Sequence, residues 1–139
     1  MSDLLIRDYE PTDYPAIENL WSQTGLGGAQ RGDNQQTIEL SLKMGGKFLV
    51  VINKSGELIA TSWMTFDGRR LHLHHFGVLP YCQRQGIGKL LALQSIAFAK
   101  ERNTQIKLEV HKSNKAAISL YTSLGFVSLG DYEVYIRPC

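Results

Sequence analysis

Residues Pro80 to Leu91 read PYCQRQGIGKLL, a junction where a β-rich run gives way to glycines and then to an aliphatic stretch. Between Ile87 and Arg102 the residues Leu90, Leu91, Leu93, Ile96, Ala97 and Phe98 form a helical pattern broad enough to cover a sheet. A strand that turns through glycines straight into such a helix commits the chain to layers of sheet and helix. The same junction presents chemistry. A helix N-terminus offers unpaired N–H groups and about half a positive charge, and glycines let an anion approach that backbone closely. The turn therefore suits a phosphate or pyrophosphate.

The surrounding text supplies the remaining elements. Leu4-Leu5-Ile6 reads as a short strand, and Thr12-Asp13 then supplies capping chemistry for a helix carrying Ile17, Leu20 and Trp21 on one face. Residues 24–34 have loop composition, and an acceptor lip is expected from Trp21 to Asn34, the hairpin turn near Asp67 and the C-terminal strands around Tyr132 and Tyr135. Ile38, Leu40 and Leu42 predict a second short helix before Gly45-Gly46. Lys47 to Asn53 and Leu58 to Phe66 are β-rich runs joined by a hairpin signature, and Leu71 to Val78 follows after a further turn. Ile106 to Val110 reads as a strand. Ala117, Leu120, Tyr121 and Leu124 then mark a helix from Asn114 that Gly125 stops, and Phe126 to Ile136 is again β-rich. The order β-α-α-β-β-β-α-β-α-β-β predicts a mixed α/β (α+β) fold: a mostly antiparallel twisted sheet of about seven strands, with helices on both faces.

Length and composition set the frame for any function. A chain of 139 residues fits one domain, residues 1–139, able to bury about two thirds of its unfolded surface. No apolar run approaches the roughly 18 residues that cross a bilayer, and the acidic N-terminus lacks signal-peptide character, so a cytoplasmic location without membrane partners is expected. A net charge of +2 is far from that of a dedicated nucleic-acid binder. Cys82 and Cys139 lack CxxC spacing and are expected to be free thiols. Arg31-Gly32-Asp33 matches an adhesion triplet, which three residues are too few to support.

Spacing separates the phosphate-binding motifs. A P-loop needs four residues between its glycines and Ser or Thr after the Lys, whereas one residue separates Gly86 from Gly88 and Leu90 follows Lys89. A dinucleotide fingerprint needs a third glycine where Leu91 stands. Val78 to Gly88 instead resembles the acyl-coenzyme A segment of the GNAT superfamily of N-acetyltransferases, Gln/Arg-x-x-Gly-x-Gly/Ala, with Gln83, Gly86 and Gly88 in the defining places. Residues 108–114 (LEVHKSN) and 117–126 (AISLYTSLGF) resemble the next strand and helix, most closely those of bacterial ribosomal-protein alanine N-acetyltransferases. The similarity is strong over residues 66–126; the N-terminal third shares only the layout, so acceptor specificity is not carried over.

The resemblance implies a function and assigns residues to it. The function is acetyl transfer from acetyl-CoA directly to a primary amine, either on a small molecule or at a peptide or protein N-terminus. The alternative is a silent acyl-CoA-binding regulatory module. The resemblance places the pantetheine arm along Phe76, Gly77 and Val78, and an amide of it at Asn114. It places the pyrophosphate on the amides of Gln83, Arg84, Gln85, Gly86, Ile87, Gly88 and Lys89, with Arg84 and Lys89 as local cations. Tyr121 matches the family's general acid and Glu109 the general base of the alanine enzymes.

The chemistry leaves the base open among Glu109, a histidine of the His72–His75 stretch, and water. An α-amine of pKa near 8 is about one tenth neutral at pH 7, against roughly one part in 2,500 for a lysine-like amine, so a weak base serves the first class. His72 and His74 share one strand face, yet no Cys or acidic ligand set accompanies them, and no metal is expected. The edge after Phe126 leaves monomer and homodimer both open.

Overall fold

The computed structural model describes residues 3–27 and 32–138; Arg31 of the adhesion-like triplet and the Cys139 thiol lie outside the described residues. The chain forms two compact units, residues 1–109 and 110–139.

The first unit is built on one five-stranded sheet. Its strands β1 (Leu5–Asp8), β2 (Lys47–Ile52), β3 (Leu58–Phe66), β4 (Arg70–Val78) and β5 (Gln105–Leu108) lie side by side in chain order. The first four are antiparallel, and β5 joins β4 in parallel after the crossover through helix α3 (Ile87–Glu101), the long connection that a parallel pair requires. The remaining helices of this unit are α1 (Tyr14–Thr24) and α2 (Gln35–Lys43).

Strand alternation divides the sheet into two faces. On one, Trp63 donates its indole N–H to Ser41 of α2 at 2.9 Å, and the Trp21 indole of α1 donates to Thr61 at 3.1 Å. Tyr9, Trp21, Phe48 and Trp63 form an aromatic cluster there, with Trp21 and Trp63 stacked at 5.9 Å. Complete burial of such side chains is worth about 1.5–3 kcal/mol each, and Trp21, Phe48 and Trp63 are all essentially inaccessible. On the opposite face α3 buries Ile87, Leu91, Ala92, Ser95 and Ala99, while Leu90 and Leu93 reach solvent. Small residues in that stripe bring the helix close enough for Ser62 of β3 to meet Ser95 at 2.8 Å. Ser95 gives its own proton to the Leu91 carbonyl, so Ser62 is the donor.

Local chemistry fixes the ends of the first two helices. Asp13 accepts both guanidinium N–H groups of Arg7 at 2.9 Å and the Glu10 amide at 2.8 Å, which ties β1 to the start of α1. The carboxylate expected to cap α1 thus caps the preceding 3₁₀ turn instead. Asn34 caps α2 by accepting from the Thr37 amide at 2.9 Å. That helix buries Ile38 and Ser41 and leaves Leu40 exposed, so its inward stripe is displaced from the expected one.

In the second unit, α4 (Lys115–Ser123) is capped by Asn114, whose side-chain oxygen accepts from the Ala117 amide at 3.2 Å, and Gly125 follows the helix at φ +97°. Residues 124–138 form neither helix nor strand, so the sheet has five strands and the two expected from Phe126 to Ile136 are absent among the described residues. β propensity reports how a side chain suits a pleated surface; a strand also needs a partner ladder, and Gly130 at φ +81° interrupts this run. The fold class stands as expected: a mixed α/β domain architecture with a mostly antiparallel sheet and helices on both faces. No helix among the described residues is long and apolar enough to cross a membrane.

Candidate functional site

Strands β4 and β5 part company midway along the sheet. Their ladder runs only from Arg70–Gln105 to Leu73–Leu108, whereas β4 continues beside β3 to Val78. At the point of parting β4 carries a bulge: two residues, His75 and Phe76, stand where β3 offers only Ser62, and His75 takes the left-handed φ of +46°. A bulge leaves a carbonyl outside the ladder. Thr61 captures it, donating its hydroxyl to the His75 carbonyl at 2.7 Å while accepting from the Trp21 indole. Thr61 does not stand out as functional in the sequence; its only hint is hydroxyls at 61 and 62 in a strand whose neighbours are apolar.

The histidine ring is held as firmly as its backbone. His75 packs on Trp21 at 4.4 Å and Trp63 at 5.2 Å between ring centroids, and its Nε2 meets the Asp33 carboxylate at 3.1 Å. Asp33 belongs to the loop ahead of α2. Gly27, from the same connection, has φ +63°, and a Cβ on it would stand 2.8 Å from the His75 ring. Leu26 lies over Gly77, where a Cβ would come within 2.6 Å of its methyl. Leu26, Gly27 and Asp33 of the expected lip thus sit on β4, while residues 28–31 of it lie outside the described residues, and a side chain at Gly77 would displace the Leu26 methyl.

The glycine turn is shaped as the sequence implies. After a 3₁₀ turn at Pro80–Cys82 the chain is extended at Gln83, left-handed at Arg84 (φ +65°) and left-handed again at Gly86 (φ +81°), and α3 begins at Ile87. Left-handed residues interleaved with ordinary ones turn successive N–H groups toward one concavity, the geometry of an anion nest. Gln83 does not extend outward; its amide N–H donates to the Val78 carbonyl at 3.0 Å and locks the turn to the end of β4. Gln85 reaches back to Tyr81, and Ile87 is buried, so these residues offer a ligand their backbone. Arg84 and Lys89 are exposed. Cys82 is buried, which pushes its thiol pKa up.

On the α1/α2 face, beyond the area those helices cover, lie His72 and His74 of β4. His74 Nε2 meets Thr65 at 2.9 Å, and His72 Nε2 meets Asp67 at 3.0 Å. Glu109 directly follows β5 and is exposed. A recess of about 210 Å³, bounded by Thr37, Leu40, Ser41, Met44, Thr65 and Phe66, shares Thr65 with His74. In the second unit Asn114 has its side-chain oxygen engaged as a helix cap, and Tyr121 is buried against Phe126 at 5.5 Å. Burial pushes the Tyr121 phenol up to about 12, which keeps it protonated at neutral pH.

Comparison with known proteins places this geometry. Residues 14–126 match the Acetyltransferase (GNAT) family. The chain is 32% identical to mycothiol acetyltransferase of Paenarthrobacter aurescens (strain TC1) over 98 residues, which cover 66% of this chain and 30% of that protein. The ribosomal-protein-S18-alanine N-acetyltransferase from Escherichia coli superposes with a TM-score of 0.75 at 27% identity, covering 88% of this chain and 76% of the other. AAC(6')-Iy, solved with the bisubstrate analogue CoA-S-monomethyl-acetylneamine, superposes with a TM-score of 0.79 at 16% identity over 98% of this chain and 99% of that one, a likeness of fold. With a parting of strands, a bulge and a left-handed turn at a helix start in the order the motifs predict, the chain belongs to the GNAT acetyltransferase family.

Proposed function

We propose that this chain is a single acetyltransferase domain that moves an acetyl group from acetyl-CoA directly to a primary amine, on a small molecule or at a peptide or protein N-terminus. The observation that carries the reading is the parting of β4 from β5 after Leu73, beside a turn with Arg84 and Gly86 both left-handed at the start of a fifteen-residue helix. An extended amide-bearing arm fits the first feature, and a pyrophosphate fits the second.

Acetyl-CoA brings the activated acyl carbon and the thiol leaving group. The chain's residues do the rest. Phe76, Gly77 and Val78 hold the pantetheine arm by their backbone, and the amides from Gln83 to Lys89 hold the pyrophosphate, helped by the Arg84 and Lys89 cations. Asn114 orients a pantetheine amide through its NH₂ group, since its oxygen caps α4. Tyr121 gives its proton to the departing sulfur, a role suited to a phenol that stays protonated. Glu109, a histidine of β4 or water takes the proton of the acceptor.

The coenzyme motifs do not fix the acceptor, and the relatives named above are a mycothiol acetyltransferase and a ribosomal-protein-S18-alanine N-acetyltransferase. The test is thiol release from acetyl-CoA across peptides, amino acids, polyamines and aminoglycosides. Release with one amine class supports the enzyme reading. Coenzyme binding with no release from any amine refutes it in favour of an acyl-CoA-binding regulatory module.

A further inference from the structure

Leu73 and Leu108 are the last paired residues of β4 and β5, and both lie on the α3 face. One step further, in β4 and just past the end of β5, alternation turns His74 and Glu109 to the opposite face, on either side of the gap left where the ladder ends and close enough for the Glu109 charge to act on the ring. We propose that His74 is the catalytic base that takes the acceptor's ammonium proton, and that Glu109 across the gap holds that ammonium; the assignment rests on the acetyltransferase reading above.

The other histidines are committed elsewhere. His75 is wedged between Trp21 and Trp63 with Nε2 on Asp33, which makes it the anchor of the loop. His72 stands two residues back from the parting and binds Asp67. His74 keeps its ring at the gap, edge-on to Trp63 at 6.3 Å, with Nε2 fixed by Thr65 at 2.9 Å. The tautomer that donates Nε2–H to the Thr65 oxygen leaves the lone pair on Nδ1 as the basic site, and it is this tautomer that the assignment requires.

Charges around the ring agree with that role. Burial lowers the His74 pKa first, and the neighbouring His75 and His72 lower it further; Glu109 and Asp33 act in the opposite sense. A lowered pKa favours the neutral ring, the form able to accept a proton. A carboxylate beside the gap suits a different task, binding the ammonium before it is deprotonated. The step balances simply: one N–H bond of the ammonium breaks, Nδ1–H forms, and the neutral amine keeps the electron pair with which it attacks the thioester carbon. His74 then returns the proton to solvent.

The test uses the whole chain with acetyl-CoA and an alanine-initiated hexapeptide, and reads kcat and KM for the peptide from pH 5.5 to 9.5. His74→Gln is expected to lower kcat/KM at pH 7 by about 10²-fold, within the range of general-base effects. The deficit shrinks as pH rises past the peptide amine near 8, because the free amine then needs no base. Glu109→Gln is expected to raise KM with little change in kcat. A His74→Gln deficit that is constant with pH, or a kcat abolished in Glu109→Gln with the His74→Gln profile unchanged, overturns the assignment. If His74→Gln misfolds, NMR titration of the His74 ring in the wild-type protein decides: an apparent pKa equal to that of the acid limb of kcat/KM supports it, and a different one overturns it. Wild-type protein inactive with every amine class removes the acetyltransferase reading itself, a result separate from an active enzyme indifferent to His74.

Discussion

The Thr61 hydroxyl donates to the His75 carbonyl at 2.7 Å, so a threonine buried in β3 satisfies the carbonyl that the β4 bulge excludes from the ladder. Both ends of that hydroxyl are in use, since the Trp21 indole donates to the same oxygen. Thr61→Val keeps the shape and removes both bonds. Each partner left unpaired in the interior costs about 1–3 kcal/mol, so the variant is expected to lose about 2–6 kcal/mol in urea unfolding and to bind CoA less tightly as the bulge relaxes. Thr61→Ser restores most of both. Equal melts for valine and threonine proteins refute the bulge-holding role.

The two glycines of the turn separate in their response to alanine. Gly86 stands at φ +81°, where an L side chain costs about 1–2 kcal/mol, so Gly86→Ala is expected to lower the melting temperature and weaken CoA about tenfold. Gly88 lies inside the first turn of α3 with ordinary helical geometry, and alanine there gains about 1 kcal/mol of helix propensity. Gly88→Ala is therefore expected to raise the melting temperature with little change in CoA affinity, because the motif takes glycine or alanine at this place. Thermal melts with and without CoA check both signs.

Much of this site is legible in the text because its parts are local. Gln83, Gly86 and Gly88 lie within six consecutive residues, and the helix that follows declares itself by its aliphatic spacing. The elements holding the site in shape are not local. Thr61 meets His75 fourteen residues away, and Trp21 meets Thr61 across forty, so neither bond has a spacing signature. Leu40 shows the related limit: an apolar residue marks a face only if a partner element lies opposite, and here Ile38 and Ser41 turn inward instead. The run after Phe126 fails for the same reason, being rich in β-formers without a ladder among the described residues.

Acid should loosen the first unit through Asp13. The paired hydrogen bonds from Arg7 lower its pKa most, with the Glu10 amide adding to them and burial opposing both. A folded pKa below the unfolded value of about 3.9 means that the stabilisation is fully present above that value. It is lost as pH falls through the folded pKa. Asp13→Asn should be less stable than the parent at pH 7 by about 2 kcal/mol, and the difference should narrow as pH falls below the unfolded value and through the folded one. Denaturant melts at pH 7, 5 and 3 give the comparison; a gap that persists unchanged at the lowest pH contradicts the linkage.

Tyr121 offers the sharpest separation of binding from chemistry. Its phenol is buried and pushed up to about 12, so removing the hydroxyl takes away a proton donor while leaving the ring to pack on Phe126. Tyr121→Phe is expected to keep the CoA affinity of the parent and to lose about 10²-fold in kcat. A donor whose pKa lies so high also leaves no alkaline limb in kcat below pH 10 in the parent protein. Isothermal titration with CoA beside steady-state thiol release across pH reads both quantities. Full turnover in the phenylalanine protein would assign the leaving-group proton to solvent, and an alkaline limb near pH 8 in the parent would require a different acid.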